Sequence, residues 1–342
     1  MSEMGIGIIG AGFMGRTYME TLTQYCPDVK VRAVTGGSRA GPLAKDYAVE
    51  QEESVETLLN RDDVDIVFIA TPHEAHGPQA IAAAGHGKHI MIEKPMACSV
   101  AECDDILKAC QEAGVFCSVA FTQRSRLCNI RAKQIIERGD LGPVRQLLEF
   151  QWLGGGLVKF PSWQSNRENL GILFGHGIHN FDRIRWITGS EIATVYAHCT
   201  SLEPEIPVEG TSLLLMTLSD GTAVSFSSSG QLPEPPFPHM QFRAMIIGER
   251  GLMDIDAYGE LRINTAGRWE TVVRQAPIDW AGKGFLDPVR LESYADHCQA
   301  FLEAVQEQRE PPITGWDGRQ AVAAALAAYE SSQSSRIVTL SP

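Results

Sequence analysis

Gly5-Ile6-Gly7-Ile8-Ile9-Gly10-Ala11-Gly12-Phe13-Met14-Gly15 decides how the chain is read. A short apolar run comes first and reads as a strand. A Gly-x-Gly-x-x-Gly loop follows at once, and Arg16 through Tyr25 has helical character until Pro27 stops it. Glycines spaced this way between a strand and a helix form the fingerprint of a dinucleotide-binding unit. Gly10 makes the tight turn, Gly12 lets a pyrophosphate approach the backbone, and Gly15 allows close helix packing. Phe13 and Met14 complete the loop and are expected to share the cofactor contact. The free N–H groups and dipole of the following helix favour the diphosphate.

Outward from the loop, Val29 to Val34 reads as the second strand. A site for NAD usually carries an acid about twenty residues beyond the glycines, to accept from the ribose 2′-hydroxyl. Here the strand runs into Thr35-Gly36-Gly37-Ser38-Arg39, with no carboxylate. Ser38 and Arg39 suit a 2′-phosphate, so NADP is the expected cofactor. NAD stays open, because Arg39 could equally stack on adenine or face water.

Asp65 to Ala70 is a third buried strand, closed by Thr71-Pro72, and His73-Glu74-Ala75-His76 opens a helix running to Ala84. His73 and His76 lack a third ligand at metal spacing. They are expected to line the cofactor crevice or cap the helix. The strand Ile90-Met91-Ile92 then ends abruptly in Glu93-Lys94-Pro95. A lysine at a strand exit sits on the ligand-binding edge of an α/β domain. The proline fixes its own φ and restricts the lysine backbone, so the ammonium is held. Ser99 to Glu102 is a capping box for a helix reaching about Ala113, and Val115 to Phe121 is the domain's last strand. Strands alternating with helices specify a doubly wound parallel sheet over residues 1–122.

Beyond Phe121 the rhythm changes. After a helix from about Asn129 to Arg138, strands follow one another: 144–153, 192–200, 212–218, 223–228, 242–247 and 252–256. Asp220-Gly221 marks a hairpin turn, and Pro233 to Pro238 reads as a semi-rigid loop. A mostly antiparallel open sheet is expected in this second domain, 123–342, one face packing on helices and the other offering an oligomer surface. Helices near Arg290–Gln308 and Asp317–Ser332 finish the chain and are candidates to pack back on the first domain. Within this half, Leu173 to Trp186 reads as a functional helix, with His176, His179 and Asp182 on neighbouring positions of one face. Its histidines suggest acid/base groups pointing into a cleft; a metal set and core histidines are the rivals, and no fourth ligand is in sight.

A chain of 342 residues suggests two domains, and 44% hydrophobic with 21% charged residues is ordinary for a globular enzyme. A net charge of -13 argues against nucleic acid or an anionic membrane as partner. No signal peptide or membrane span is expected, so the chain is assigned to the cytoplasm, its eight cysteines free and without a Cys-x-x-Cys pair.

Gly10-x-Gly12-x-x-Gly15, Ala70-Thr71-Pro72 with His76, Glu93-Lys94-Pro95 and Gly177-x-His179-x-x-Asp182, in that order, resemble the Gfo/Idh/MocA family of nicotinamide-dependent oxidoreductases over nearly the whole length. The resemblance implies an N-terminal Rossmann domain, a C-terminal α/β domain with a large open sheet, and assembly as a homodimer or homotetramer. It implies hydride transfer to or from a secondary carbon of a sugar, cyclitol or glycoside. Lys94 corresponds to the family's lysine and His179 to its helix histidine. Many members carry an aspartate four residues before that histidine, where this chain has Gly175. Under this reading Lys94 binds the reacting oxygen and His179 carries its proton, while Gln123, Arg124, Trp163 and His176 position substrate. A cyclic dihydrodiol dehydrogenase, a non-catalytic dinucleotide-binding regulator and an NAD-using glycosidase are the alternatives.

Overall fold

The computed structural model describes residues 4–153, 171–201, 208–232, 241–280 and 282–340. It divides into two compact units: Met1–Thr122 with Ile278–Arg319, and Gln123–Pro277 with Gln320–Pro342.

In the first unit, β1 (Met4–Ile9), β2 (Val29–Thr35), β3 (Glu50–Gln51), β4 (Ile66–Ile69), β5 (His89–Ile92) and β6 (Cys117–Val119) form one parallel sheet in the order β3-β2-β1-β4-β5-β6. Its centre is covered on both faces: Ile6, Ile8, Phe68 and Met91 on one side and Ile9, Val67, Ile69 and Ile90 on the other have no exposed surface. Continuous apolar runs rather than alternating ones are what such strands require. Helices α1 (Phe13–Tyr25), α2 (Ala40–Tyr47), α3 (Val55–Leu59), α4 (His76–Gly85) and α5 (Val100–Ala113) complete the crossovers. Strand order reverses between β1 and β4, so the glycine loop, Thr71 and Lys94 all leave the sheet at its carboxyl edge, around the switch point. The short α2, with Gly41-Pro42 near its start, and the five-residue α3 lie below the length at which hydrophobic periodicity identifies a helix. Ser99 caps α5 by accepting from the Glu102 N–H at 3.2 Å, while the Glu102 carboxylate reaches back to the Cys98 N–H at 3.1 Å.

The second unit holds α6 (Leu127–Glu137), β7 (Val144–Trp152), α7 (Ile178–Thr188), β8 (Ile192–Thr200), β9 (Thr211–Leu218), β10 (Ala223–Ser229), β11 (Gln241–Gly248), β12 (Leu252–Asp256), β13 (Glu260–Asn264) and β14 (Glu270–Arg274). With β15 (Val338–Thr339) these make a nine-stranded sheet ordered β14-β13-β12-β11-β7-β10-β9-β8-β15. Every pairing is antiparallel except β7 with β10. The chain between β9 and β10 turns at Asp220-Gly221, where Gly221 has φ +89° and Asp220 accepts from the Thr222 N–H at 2.9 Å. The hairpin β13–β14 extends the sheet beyond the strands expected from sequence. Helices α8 (Pro288–Gln306) and α9 (Gly315–Ser334) close the chain, the unit division falling after Arg319 in α9.

All eight cysteines are free thiols, six of them buried. Burial pushes Cys26, Cys103 and Cys128 up to about 12. No helix among the described residues is long and apolar enough to cross a membrane.

Candidate active site

The glycine loop distinguishes glycines the protein needs from one a ligand needs. A Cβ on Gly15 would stand 1.8 Å from the Gly10 carbonyl oxygen, and Gly10 itself has φ +109° with the Ala70 carbonyl at its back. A Cβ on Gly12 would meet only the Arg39 guanidinium, at 3.6 Å. The space over Gly12 is therefore left for something outside the chain. It opens on a cavity of about 250 Å³ lined by Ala11, Gly12, Phe13, Arg16, Arg39, Pro42 and Leu43. The first turn of α1 points its N–H groups this way, as an anion requires. A dinucleotide diphosphate fits these features. Ser38 and Arg39 are both exposed at the tip of β2, and Met14 is half-buried beside the loop.

At the end of β5, Lys94 is half-buried and its surroundings are tied down. Glu93, 6% exposed, accepts from the Tyr18 hydroxyl at 2.6 Å through Oε1 and from the Lys94 backbone N–H at 3.1 Å through Oε2. The Lys94–Pro95 peptide is cis. Behind it, His76 is fully buried, its Nδ1 2.8 Å from the Pro95 carbonyl and its Nε2 2.9 Å from the Thr71 carbonyl. The ring thus joins the exit of β4 to the lysine corner, a task that spacing alone did not indicate. Desolvation lowers the Lys94 pKa, Glu93 pulls it back up, and the Arg290 guanidinium lowers it further. His73 is buried next to His76, ring centroids 5.9 Å apart, while Ala70 and Thr71 are half-buried and Pro72 is exposed.

In the second unit the functional helix begins with a π-helical turn, Leu173–Gly177, that carries Gly175 and His176 and runs into α7 with His179 in its first turn. A π turn is a frequent mark of a working site. Glu209 caps this start: its Oε1 accepts from the Leu173 N–H at 2.5 Å and its Oε2 from the Tyr329 hydroxyl at 2.9 Å. Burial raises the Glu209 pKa to about 7. Asp182 does not stand with the histidines as a ligand set; Arg124 grips it with Nε and Nη2 at 2.9 and 2.5 Å. The next residue, fully buried Arg183, donates from Nε to Glu149 at 2.9 Å, and Asn180 donates to the same oxygen at 2.5 Å. His179 lies edge-on to Phe242, centroids 6.5 Å apart. Phe242 meets Tyr258 at 5.8 Å, and the Tyr258 hydroxyl accepts from Gln123 at 3.0 Å. These contacts place Gln123, Arg124 and His179 in one neighbourhood. Trp163 lies outside the described residues, as does the loop Pro233 to Pro238. Sequence reasoning did not find Tyr18, Glu149, Arg183 or Glu209, since only distant folding partners give them a role.

A doubly wound sheet with an open cradle over Gly12 and a held lysine on the same carboxyl edge defines a dinucleotide-binding oxidoreductase. The chain belongs to the Gfo/Idh/MocA family: residues 4–121 match the model of the oxidoreductase family with an NAD-binding Rossmann fold, and residues 130–254 match the family's C-terminal domain. It is 29% identical over 334 residues to the uncharacterized oxidoreductase YrbE of Bacillus subtilis, covering 95% of this chain and 93% of that one. It is 25% identical over 342 residues to inositol 2-dehydrogenase of Salmonella typhimurium, covering 96% and 94%. Among solved structures, an oxidoreductase domain protein from Kribbella flavida superposes with a TM-score of 0.88 over the full length of both chains, at 23% identity.

Proposed function

We propose that this protein catalyses reversible hydride transfer between a nicotinamide dinucleotide, NADP(H) in preference to NAD(H), and a secondary alcohol carbon of a sugar, cyclitol or glycoside. The observation that carries this reading is Lys94: a lysine at the carboxyl edge of the sheet, fixed by Glu93, Tyr18 and His76, with its proton loosened by burial. The dinucleotide supplies the hydride acceptor or donor at C4 of its nicotinamide ring. Lys94 hydrogen-bonds the reacting oxygen and stabilises the negative charge that develops there. His179 takes or returns the hydroxyl proton, the usual duty of an imidazole in such steps. Arg39 and Ser38 accommodate a 2′-phosphate where an NAD site would carry an acid. The inositol 2-dehydrogenase relative supports a polyol as substrate.

Residues 1–122 serve the cofactor and 123–342 the substrate and self-association, in the cytoplasm. The exposed apolar face of the large sheet, with Leu215 at 62% and Leu213 at 58%, suits a second copy in a homodimer or homotetramer.

The deciding experiment is Lys94→Ala assayed with NADP and NAD against a panel of inositols, sugars and dihydrodiols. Turnover is expected to fall by about two to four orders of magnitude with dinucleotide binding retained; near-normal turnover refutes the mechanism. In the same assay Arg39→Ala is expected to lose the preference for NADP, and an unchanged preference removes Arg39 from the assignment.

A further inference from the structure

Arg124 and Arg126 are neighbours in sequence and opposites in structure. Arg124 is clamped on Asp182. Arg126 is 4% exposed, and its side chain makes no hydrogen bond or ion pair among the described residues. Its Nε is fully enclosed without an acceptor, and its guanidinium lies 4.7 Å over the ring of Tyr258. The other buried arginines among the described residues are satisfied: Arg183 by Glu149, Arg185 by Glu191, and Arg290 by the Phe285 carbonyl and the Tyr294 hydroxyl. A cation taken out of water without an anion is costly, and stacking on a phenol ring offsets only part of that. Such an arginine is provided for an acceptor that comes from outside.

Its position says which one. The Tyr258 ring beneath Arg126 continues through Phe242 to His179, and the Tyr258 hydroxyl holds Gln123. Arg126 therefore ends an aromatic wall that begins at the proposed proton carrier. We infer that Arg126 is the anion-recognition residue of the substrate site and that the substrate is an acidic sugar or polyol bearing a carboxylate or a phosphate. The inference rests on the reading of His179 as part of the substrate site. A guanidinium is the side chain whose fork matches both oxyanions with two parallel hydrogen bonds. In a chain of net charge -13, a buried arginine is also what offsets the repulsion an acidic substrate would meet.

The test is calorimetric titration of the full-length protein, saturated with NADP or NAD, with hexuronates and hexose phosphates beside the parent hexoses and inositols. Wild type is expected to bind at least one acid tenfold or more tighter than its neutral parent. Arg126→Met, which keeps the stacking volume, is expected to equalise them, and Arg126→Lys to restore part of the preference. Whether uronate or phosphate wins identifies the oxyanion. Lys94→Ala is expected to keep the preference, since it removes chemistry and not the anion site. Equal binding of acids and neutral parents by wild type, no binding of any acid, or a preference that survives Arg126→Met overturns the inference. Should Arg126→Met fail to fold, the wild-type preference and its weakening by salt still decide. Acid preference without turnover would sink the oxidoreductase reading alone; turnover of neutral polyols without acid preference would sink this inference alone.

Discussion

At the end of β5, the side chains that fix the Lys94 corner are bound at main-chain atoms, with Tyr18 holding the Glu93 carboxylate from 75 residues away. Its own N–H is held by its sequence neighbour Glu93, and His76 reaches two main-chain carbonyls. In the second unit, α7 is held by side chains from far along the chain: Asp182 by Arg124, 58 residues away, and Arg183 by Glu149, 34 away. The difference teaches where each half is fragile. A backbone-built corner fails when its geometry is invaded, whereas a helix held by buried ion pairs fails when one charge loses its partner.

The sharpest way to break the comparison is Glu149→Ala. It leaves Arg183, 1% exposed, as an uncompensated buried charge, and is expected to cost about 3–5 kcal/mol in denaturant unfolding. Replacing both partners with apolar residues, Glu149→Leu with Arg183→Met, is expected to be far milder. If the double variant is no better than the single, charge is not what the pair provides. Next comes the glycine loop. Gly15→Ala places a carbon 1.8 Å from the Gly10 carbonyl and is expected to cost about 3 kcal/mol through overpacking. Gly12→Ala has open space and is expected to leave the melting temperature unchanged while weakening dinucleotide binding, measured by fluorescence titration.

The smallest effect is a pH dependence. The folded pKa of Glu209, about 7, lies above the ordinary carboxylate value. The folded state therefore holds this proton more tightly than the unfolded chain. Its contribution to stability is complete below the ordinary carboxylate range and is lost as pH rises through about 7. Glu209→Gln is expected to flatten the fall of the melting temperature from pH 5 to 8; an unchanged slope refutes the assignment.

The same contrast explains what the residues disclosed before folding. Gly10, Gly12, Gly15 and Glu93-Lys94-Pro95 form local patterns whose geometry follows from strand, turn and helix within a few positions, so the first unit was legible in its main strands and its ligand edge. The second unit disclosed its strands as successive β-rich runs, β9 among them although its outward Leu213 and Leu215 break any apolar–polar alternation, but not the hairpin β13–β14, whose β14 is exposed along much of its length. His179 was legible through its helix. Of the partners that hold this helix, Glu149 and Glu209 were not, and Arg124 was read only as a substrate-positioning residue, because an ion pair or cap across tens of residues leaves no periodic trace in the chain. No local pattern marks Arg126; only its enclosure without an acid sets it apart.

The thiols have a consequence of their own. Cys26, Cys103 and Cys128 are buried with pKa values near 12, so in the closed protein they are almost never thiolates. Alkylation requires the thiolate, and each of these sulfurs becomes reactive only when its part of the chain opens. Cys26 and Cys103 belong to the first unit and Cys128 to the second. Their labelling rates, read peptide by peptide in a mass spectrometer, make each unit its own clock for local unfolding, with no foreign probe introduced.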